Sequence, residues 1–254
     1  MDYNERDENE VHFDEPPMED FLPNEEDDWL RDRQKKRRSF FKKLISIGIA
    51  FALLVSVIQI WPQLFNMSSI KFLQKSAELS ELEEIQAYKE AVVTIQDQHS
   101  KGTGFNISEE GLIITNHHVI DNMNPITITF PNGEIFNGNI IHSNPDLDLA
   151  FLTIQGNNLP YLTLSKNAEW QIDDPIYVIG NPLLHHQIVN EGNIIEGSNL
   201  NGVLRISAPI FKGNSGSPVI NGHGEVVGVV YALSIKDQTG LAIPIEQVHQ
   251  NMPN

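Results

Sequence analysis

The sequence predicts an all-β domain, an antiparallel sandwich or a pair of barrels, carried behind a membrane-spanning helix. Three observations predict it. From Ala91 onward short β-branched runs recur, AVVTI, GLIIT, ITITF, AFLTI, IYVIG and VVGVVYAL, divided by Gly, Asn and Pro, the pattern of strands joined by tight turns. No clear amphipathic helix of ten or more residues separates those runs, which disfavours a parallel sheet with crossover helices. Upstream, Leu44 to Ile70 holds no charged residue, and Leu44 to Trp61 is almost wholly apolar.

Taken in chain order, residues 1–30 carry thirteen acids and one base, a local charge of −12. So few apolar groups do not offset the entropy of ordering, and the segment reads as a disordered acidic tail. Phe13, Phe21, Leu22 and Trp29 are its candidate anchors for a cytoplasmic partner. Residues 31–43 hold eight bases against Asp32, a charge of +7, and form a basic juxtamembrane segment. The apolar run that follows reaches roughly 27 Å as a helix, close to the hydrocarbon thickness of a bilayer, so residues 44–65 are expected to span the lipid bilayer. The bases stand on its N-terminal side and the next is Lys71; the positive-inside rule then puts the N-terminus in the cytoplasm and the C-terminal part outside the cell membrane. A cleavable signal peptide is disfavoured because the apolar run begins after a long charged segment and leaves through WPQLFN rather than small residues. Residues 66–87 read as a helical stalk: Lys71 to Glu90 has no Gly or Pro and sets Leu79, Leu82 and Ile85 at helical spacing. The β-rich domain is assigned to residues 88–254.

Composition excludes several function classes. The net charge is −17, with 34 acids against 17 bases, which opposes a nucleic-acid partner because such surfaces need clustered cations facing phosphate. Cysteine is absent, so disulfide frameworks, thiolate zinc sites and cysteine nucleophiles are excluded together. Neither His117-His118 nor His185-His186 is spaced as a metal pair, since neighbours in extended chain point to opposite sides. No metal and no cofactor is expected.

Three remote residues offer one chemistry. Gly213-Asn214-Ser215-Gly216-Ser217-Pro218 is a glycine-flanked serine in a turn. Serine needs a base for its proton and backbone amides for the oxyanion that its attack creates, and a glycine two places earlier lets the Gly213 and Ser215 amides face one point. His118, in a strand that runs into a tight corner, is a candidate base. Asp148, opening the apolar run LAFLTI, is drawn partly from water and requires a hydrogen-bonding partner; Asp146, behind Pro145, reads as a turn residue.

The order His118, Asp148, Ser215 resembles the chymotrypsin-fold, trypsin-like serine peptidases, closest to the bacterial HtrA (Deg) type. The strings Gly102-Thr103-Gly104-Phe105, Thr115-Asn116-x-His118-Val119, Asp148-Leu149-Ala150, Gly213-Asn214-Ser215-Gly216 and Gly240-Leu241-Ala242-Ile243-Pro244 carry the resemblance in order. It implies two antiparallel six-stranded β-barrels, with His118 and Asp148 from the first and Ser215 with the oxyanion-hole amides of Gly213 and Ser215 from the second. It also implies a membrane-anchored endopeptidase that hydrolyses polypeptide substrates through an acyl-enzyme, with misfolded extracytoplasmic proteins as the substrate class and a homotrimer as an open alternative. An α/β-hydrolase is disfavoured because its chain order is Ser, acid, His.

Three departures qualify the resemblance. Ser217 stands where a second glycine is usual, which would strain the turn if φ were positive there. Ser207 replaces the usual acid before the active-site loop. The end at Asn254 leads us to expect no PDZ domain. The expected pocket walls, residues 206–211 and 228–231, contain no acid, so small or medium aliphatic P1 residues are expected rather than Arg or Lys. The alternative function is a catalytically silent binding or sensor module on the same barrels.

Overall fold

A computed structural model describes residues 25–64, 67–166, 170–182, 187–198 and 202–253. The tail up to residue 24 and the His185-His186 pair lie outside the described residues. The chain divides into two compact units, Met1–Asn66 and Met67–Asn254.

The described part of the first unit is one helix, α1 (Glu25–Leu64). It begins at Glu25, within the segment 1–30 that the sequence reads as an acidic tail. Among the described residues α1 is the one helix long and apolar enough to cross a membrane, over Arg33–Ser56 at mean hydropathy 1.7. Leu44, Ile45, Ile47, Ile49, Phe51, Leu53 and Leu54 are all exposed. From Leu44 to Ser56 the helix carries no charge and is apolar on nearly every side, a composition compatible with lipid.

In the second unit, β1 (Val92–Gln96), β2 (Lys101–Asn106), β3 (Leu112–Thr115), β4 (Ile126–Thr129), β5 (Ile135–Asn144) and β6 (Leu149–Thr153) close an antiparallel barrel in the order β1-β2-β3-β6-β5-β4. Closure runs through Ile95 opposite Ile128. The second sheet comprises β7 (Thr163–Leu164), β8 (Pro175–Gly180), β9 (Ile188–Asn193), β10 (Leu204–Ile206), β11 (Pro218–Asn221), β12 (Glu225–Leu233) and β13 (Gly240–Pro244). Its order is β10-β13-β12-β11-β8-β9, with β7 added in parallel to β12. A single bridge between Ile194 and Ile206 joins its two ends. The expected pair of barrels thus takes the form of one closed six-stranded barrel and a half-barrel, whose ends, among the described residues, meet at that bridge and through the backbone hydrogen bonds Ile195 N–Arg205 O at 3.0 Å and Ser207 N–Asn193 O at 2.9 Å.

The unbroken apolar runs have a structural reason. Successive residues of a strand face opposite sides, and the strands near the inter-barrel seam bury both. Val93, Ile113, Ala150 and Leu152 fill the first barrel, while their neighbours Val92, Ile114, Leu149 and Phe151 join the central cluster between the sheets with Ile179, Ile220 and Val229. Ile176, Val178, Val219 and Val230 fill the second.

Where the sequence reads as one helical stalk, the structure has two helices, α2 (Met67–Leu79) and α3 (Glu83–Glu90). The central cluster includes Leu79 from α2 and Ile85 from α3. Ser76 Oγ accepts the backbone amide of Val189 on the edge strand β9 at 2.9 Å, and Lys75 pairs with Glu191 at 3.3 Å. An exposed strand edge needs such a cover. The remaining helices are short: α4 (His117–Ile120), between β3 and β4, and α5 (Ile245–Gln250) after β13.

Candidate active site

His118 lies on α4, the single helical turn that β3 enters. His117 and His118 thus share a helical turn, not the extended chain that the spacing argument assumed, and His117 Nδ1 instead meets Ser143 Oγ at 2.8 Å. Asp148 ends the turn before β6, with its backbone in the left-handed region at φ 54°. A non-glycine residue stays there only where its surroundings hold it. Its carbonyl accepts the Asn116 side-chain amide at 2.9 Å and the His117 backbone amide at 3.2 Å, and its own amide donates to Pro145 O. So placed, Asp148 accepts the His118 backbone amide with Oδ1 at 2.9 Å and faces His118 Nδ1 with Oδ2 at 2.6 Å. Its side chain is 24% exposed and that of His118 is 49% exposed, so the pair is reachable from solvent. Asp146 has only a turn role, its amide donating to Asn144 Oδ1 at 3.1 Å.

The serine loop is built from backbone. Gly213 has φ 101° and Gly216 φ 84°, values that glycine adopts without a Cβ penalty. At Gly216 the space also demands it, since a Cβ would meet Thr103 O at 1.9 Å. Ser217 takes no positive φ, so the strain expected at that position is displaced to Gly216 and does not arise. Asn214 N donates to Phe211 O at 3.0 Å, Gly216 N to Val230 O at 2.8 Å and Ser217 N to Asn214 O at 3.0 Å. Among the described residues the amides of Gly213 and Ser215 make no hydrogen bond. In the sequence these two amides flank Asn214, whose buried side-chain Nδ2 is likewise without a partner among the described residues.

Strand β2 links the serine loop to the histidine turn. Thr103 N donates to Ser215 O at 3.1 Å, and the preceding Gly102 lies so close to Val119 that a Cβ would stand 2.5 Å from its side chain. Val119 follows His118. The structure brings His118 and Asp148 into contact and sets Ser215 one strand residue away from that turn, while among the described residues no hydrogen bond joins Ser215 Oγ to His118 Nε2. Tyr231, on β12, has its phenol pushed above the ordinary value by burial and, second, by the negative charge of Asp148. Among the described residues no cluster of three or more His, Asp or Glu side chains is arranged to hold a metal ion.

Asn116, Thr103 and Asn181 have roles that are not legible in the sequence. The first two lie inside the motif strings, yet their hydrogen bonds run to residues far along the chain. Asn181 Nδ2, for example, donates to Val93 O at 3.1 Å.

The family model for the trypsin-like peptidase domain matches residues 102–229, a span that contains the histidine turn, Asp148 and the serine loop. This chain belongs to the trypsin-like peptidase family. A probable periplasmic serine endoprotease, DegP-like, of Chlamydia muridarum is 38% identical over 140 residues, covering 52% of this chain and 28% of that protein. The serine endoprotease DegS of Haemophilus influenzae is 32% identical over 178 residues, covering 63% of this chain and 52% of its own length. The crystal structure of the serine endoprotease from Yersinia pestis superposes with a TM-score of 0.61 at 32% identity, covering 66% of this chain and 63% of that one. The chain thus spans from about a quarter to about half the length of these two curated relatives. Ile206 and Ile210 are buried in the core cluster of the second sheet and close enough to Gly240 that a Cβ there would meet both side chains.

Proposed function

We propose that this trypsin-like peptidase is a serine endopeptidase anchored in the cell membrane, with His118, Asp148 and Ser215 as its triad and the Gly213 and Ser215 amides as its oxyanion hole. The observation that carries the proposal is the coincidence of two features. One is a carboxylate clamped on His118 Nδ1; the other is a pair of amides left unbonded on either side of Asn214. The carboxylate orients the ring so that Nε2 is the free base, and it stabilises the imidazolium that forms when the Ser215 proton arrives. Ser215 Oγ then attacks the scissile carbonyl, the two amides take up the developing negative charge, and His118 returns the proton to the leaving amine. Water hydrolyses the acyl-enzyme by the same steps. The Oγ–Nε2 hydrogen bond, unmade at rest, is one that substrate binding commonly tightens.

The substrates are polypeptides of the extracytoplasmic space, misfolded envelope proteins among them, cut after small or medium aliphatic residues, a preference supported by the absence of an acid from residues 206–211 and 228–231. The basic residues 31–43, within α1 and ahead of its apolar run, support a cytoplasmic N-terminus and an outer peptidase domain. Ser215→Ala in the full chain, purified in detergent, is expected to abolish casein turnover; turnover at the parental rate refutes the assignment. The unmade Ser215–His118 bond favours one second reading, a catalytically silent module. Covalent capture of a serine-directed phosphonate at Ser215 separates the two, because only an activated hydroxyl reacts.

A further inference from the structure

The geometry points to Thr103 as a positioning residue for the oxyanion hole: it holds from β2 the carbonyls of Gly213 and Ser215, the two residues whose amides form that hole. The inference rests on the catalytic reading above. Thr103 is wholly buried. Its hydroxyl donates to Gly213 O at 2.7 Å and accepts the backbone amide of Asn181 at 2.9 Å, so both its hydrogen-bonding capacities are used and its rotor is fixed. Its backbone amide donates to Ser215 O at 3.1 Å. Its carbonyl in turn accepts Thr115 Oγ1 at 2.7 Å, which ties the same residue to the strand that delivers His118.

The consequence is geometric. Gly213 O and Ser215 O belong to the peptides that follow the two unspent amides, so fixing those carbonyls fixes the ψ of both residues. Glycine at 213 has no side chain to limit its backbone, and the restraint must come from outside the loop. Without the Thr103 hydroxyl the ψ of Gly213 is released, and the backbone that carries the Gly213 N–H loses a restraint on its C-terminal side. Misplacements of about 1 Å at such a site cost on the order of a hundredfold in rate. The hydroxyl also carries the restraint outward: Asn181 Oδ1 accepts Gln187 N at 2.9 Å, and Gln187 Nε2 donates to Lys89 O at 2.6 Å at the end of α3. The segment after β8 and the helix before β1 are therefore joined to the serine loop through one side chain.

The test compares Thr103→Val, which keeps the shape and loses the hydroxyl, with Thr103→Ser, which restores it, in the full chain in detergent. For Thr103→Val kcat on a peptide substrate is expected to fall about tenfold to a hundredfold with KM within about twofold, since only charge developing in the transition state is affected. Thr103→Ser is expected to recover most of kcat. A parental kcat in Thr103→Val overturns the inference, as does an equal loss in both variants, which marks a packing role. Thr103→Ala replaces valine where valine fails to fold. If parent and Ser215→Ala are equally inactive, the catalytic reading fails on its own. Amide hydrogen exchange over residues 211–217 then still decides this inference: faster exchange in Thr103→Val than in Thr103→Ser supports it, and equal protection overturns it.

Discussion

Asp148 holds His118 at two points: Oδ2 stands 2.6 Å from the ring Nδ1 while Oδ1 accepts the backbone amide at 2.9 Å. Position and tautomer are thereby set by one carboxylate, which is itself held in a left-handed backbone by Asn116 and the His117 amide. An asparagine at 148 preserves the shape and can still accept the backbone amide, but it presents an N–H to the ring and selects the wrong tautomer. Asp148→Asn is therefore expected to lower kcat by about 10⁴ with the fold intact, and Asp146→Asn to leave it near parental. Removal of the charge has a second readout. The Tyr231 phenol, raised first by burial and then by Asp148, should titrate at lower pH in Asp148→Asn than in the parent, followed by ultraviolet absorbance; an unchanged titration would contradict the arrangement.

The pattern of the strands was legible because burial wrote it. Val92 and Val93, or Leu149 to Leu152, sit between two cores, so they appear as unbroken apolar runs bounded by turn residues. Strand β5 was not legible: Ile135 to Asn144 alternates poorly, and Ile135, Ile140 and Ile141 face solvent, so its place comes from pairing with β4 and β6 rather than from its composition. The candidate site divides in the same way. His118, Asp148 and Ser215 stand in short strings with characteristic neighbours, and their identities can be read locally. Thr103 and Asn116 act through contacts across 110 and 32 residues of chain, which spacing along the sequence does not encode.

The packing of α2 gives a stability prediction in which two neighbouring contacts differ in weight. Leu79 is buried in the central cluster, and its truncation leaves a cavity as well as losing transfer free energy. Leu79→Ala is expected to cost about 2–5 kcal/mol, read from the urea midpoint of the full chain. Ser76→Ala, which leaves the Val189 amide without its acceptor, should cost about 1–3 kcal/mol. The Lys75–Glu191 pair is half exposed on both sides, where entropy and screening offset the attraction, so Lys75→Ala should be close to neutral. A neutral Leu79→Ala would show that α2 does not belong to the folded peptidase unit.

Acid should loosen the β12–β13 end of the second sheet through one carboxylate. Asp237 is held at a pKa of about 2, below its ordinary 3.8, first by a hydrogen bond from Ser234, then by Thr239 and by the charge of Arg205. Arg205 lies on β10 and its guanidinium also donates to Thr239 Oγ1 at 3.1 Å, so the cluster ties the turn after β12 to the strand that leads toward the serine loop. Because the folded-state pKa is depressed, the folded protein binds fewer protons than the unfolded chain between the two values. The contribution is therefore fully present above about pH 3.8 and is lost as the pH falls through about 2. Asp237→Asn lacks that dependence. Thermal midpoints of parent and variant should differ most above about pH 4 and converge toward about pH 2; a gap that stays constant across that window would mean that the carboxylate gains nothing from its partners on folding.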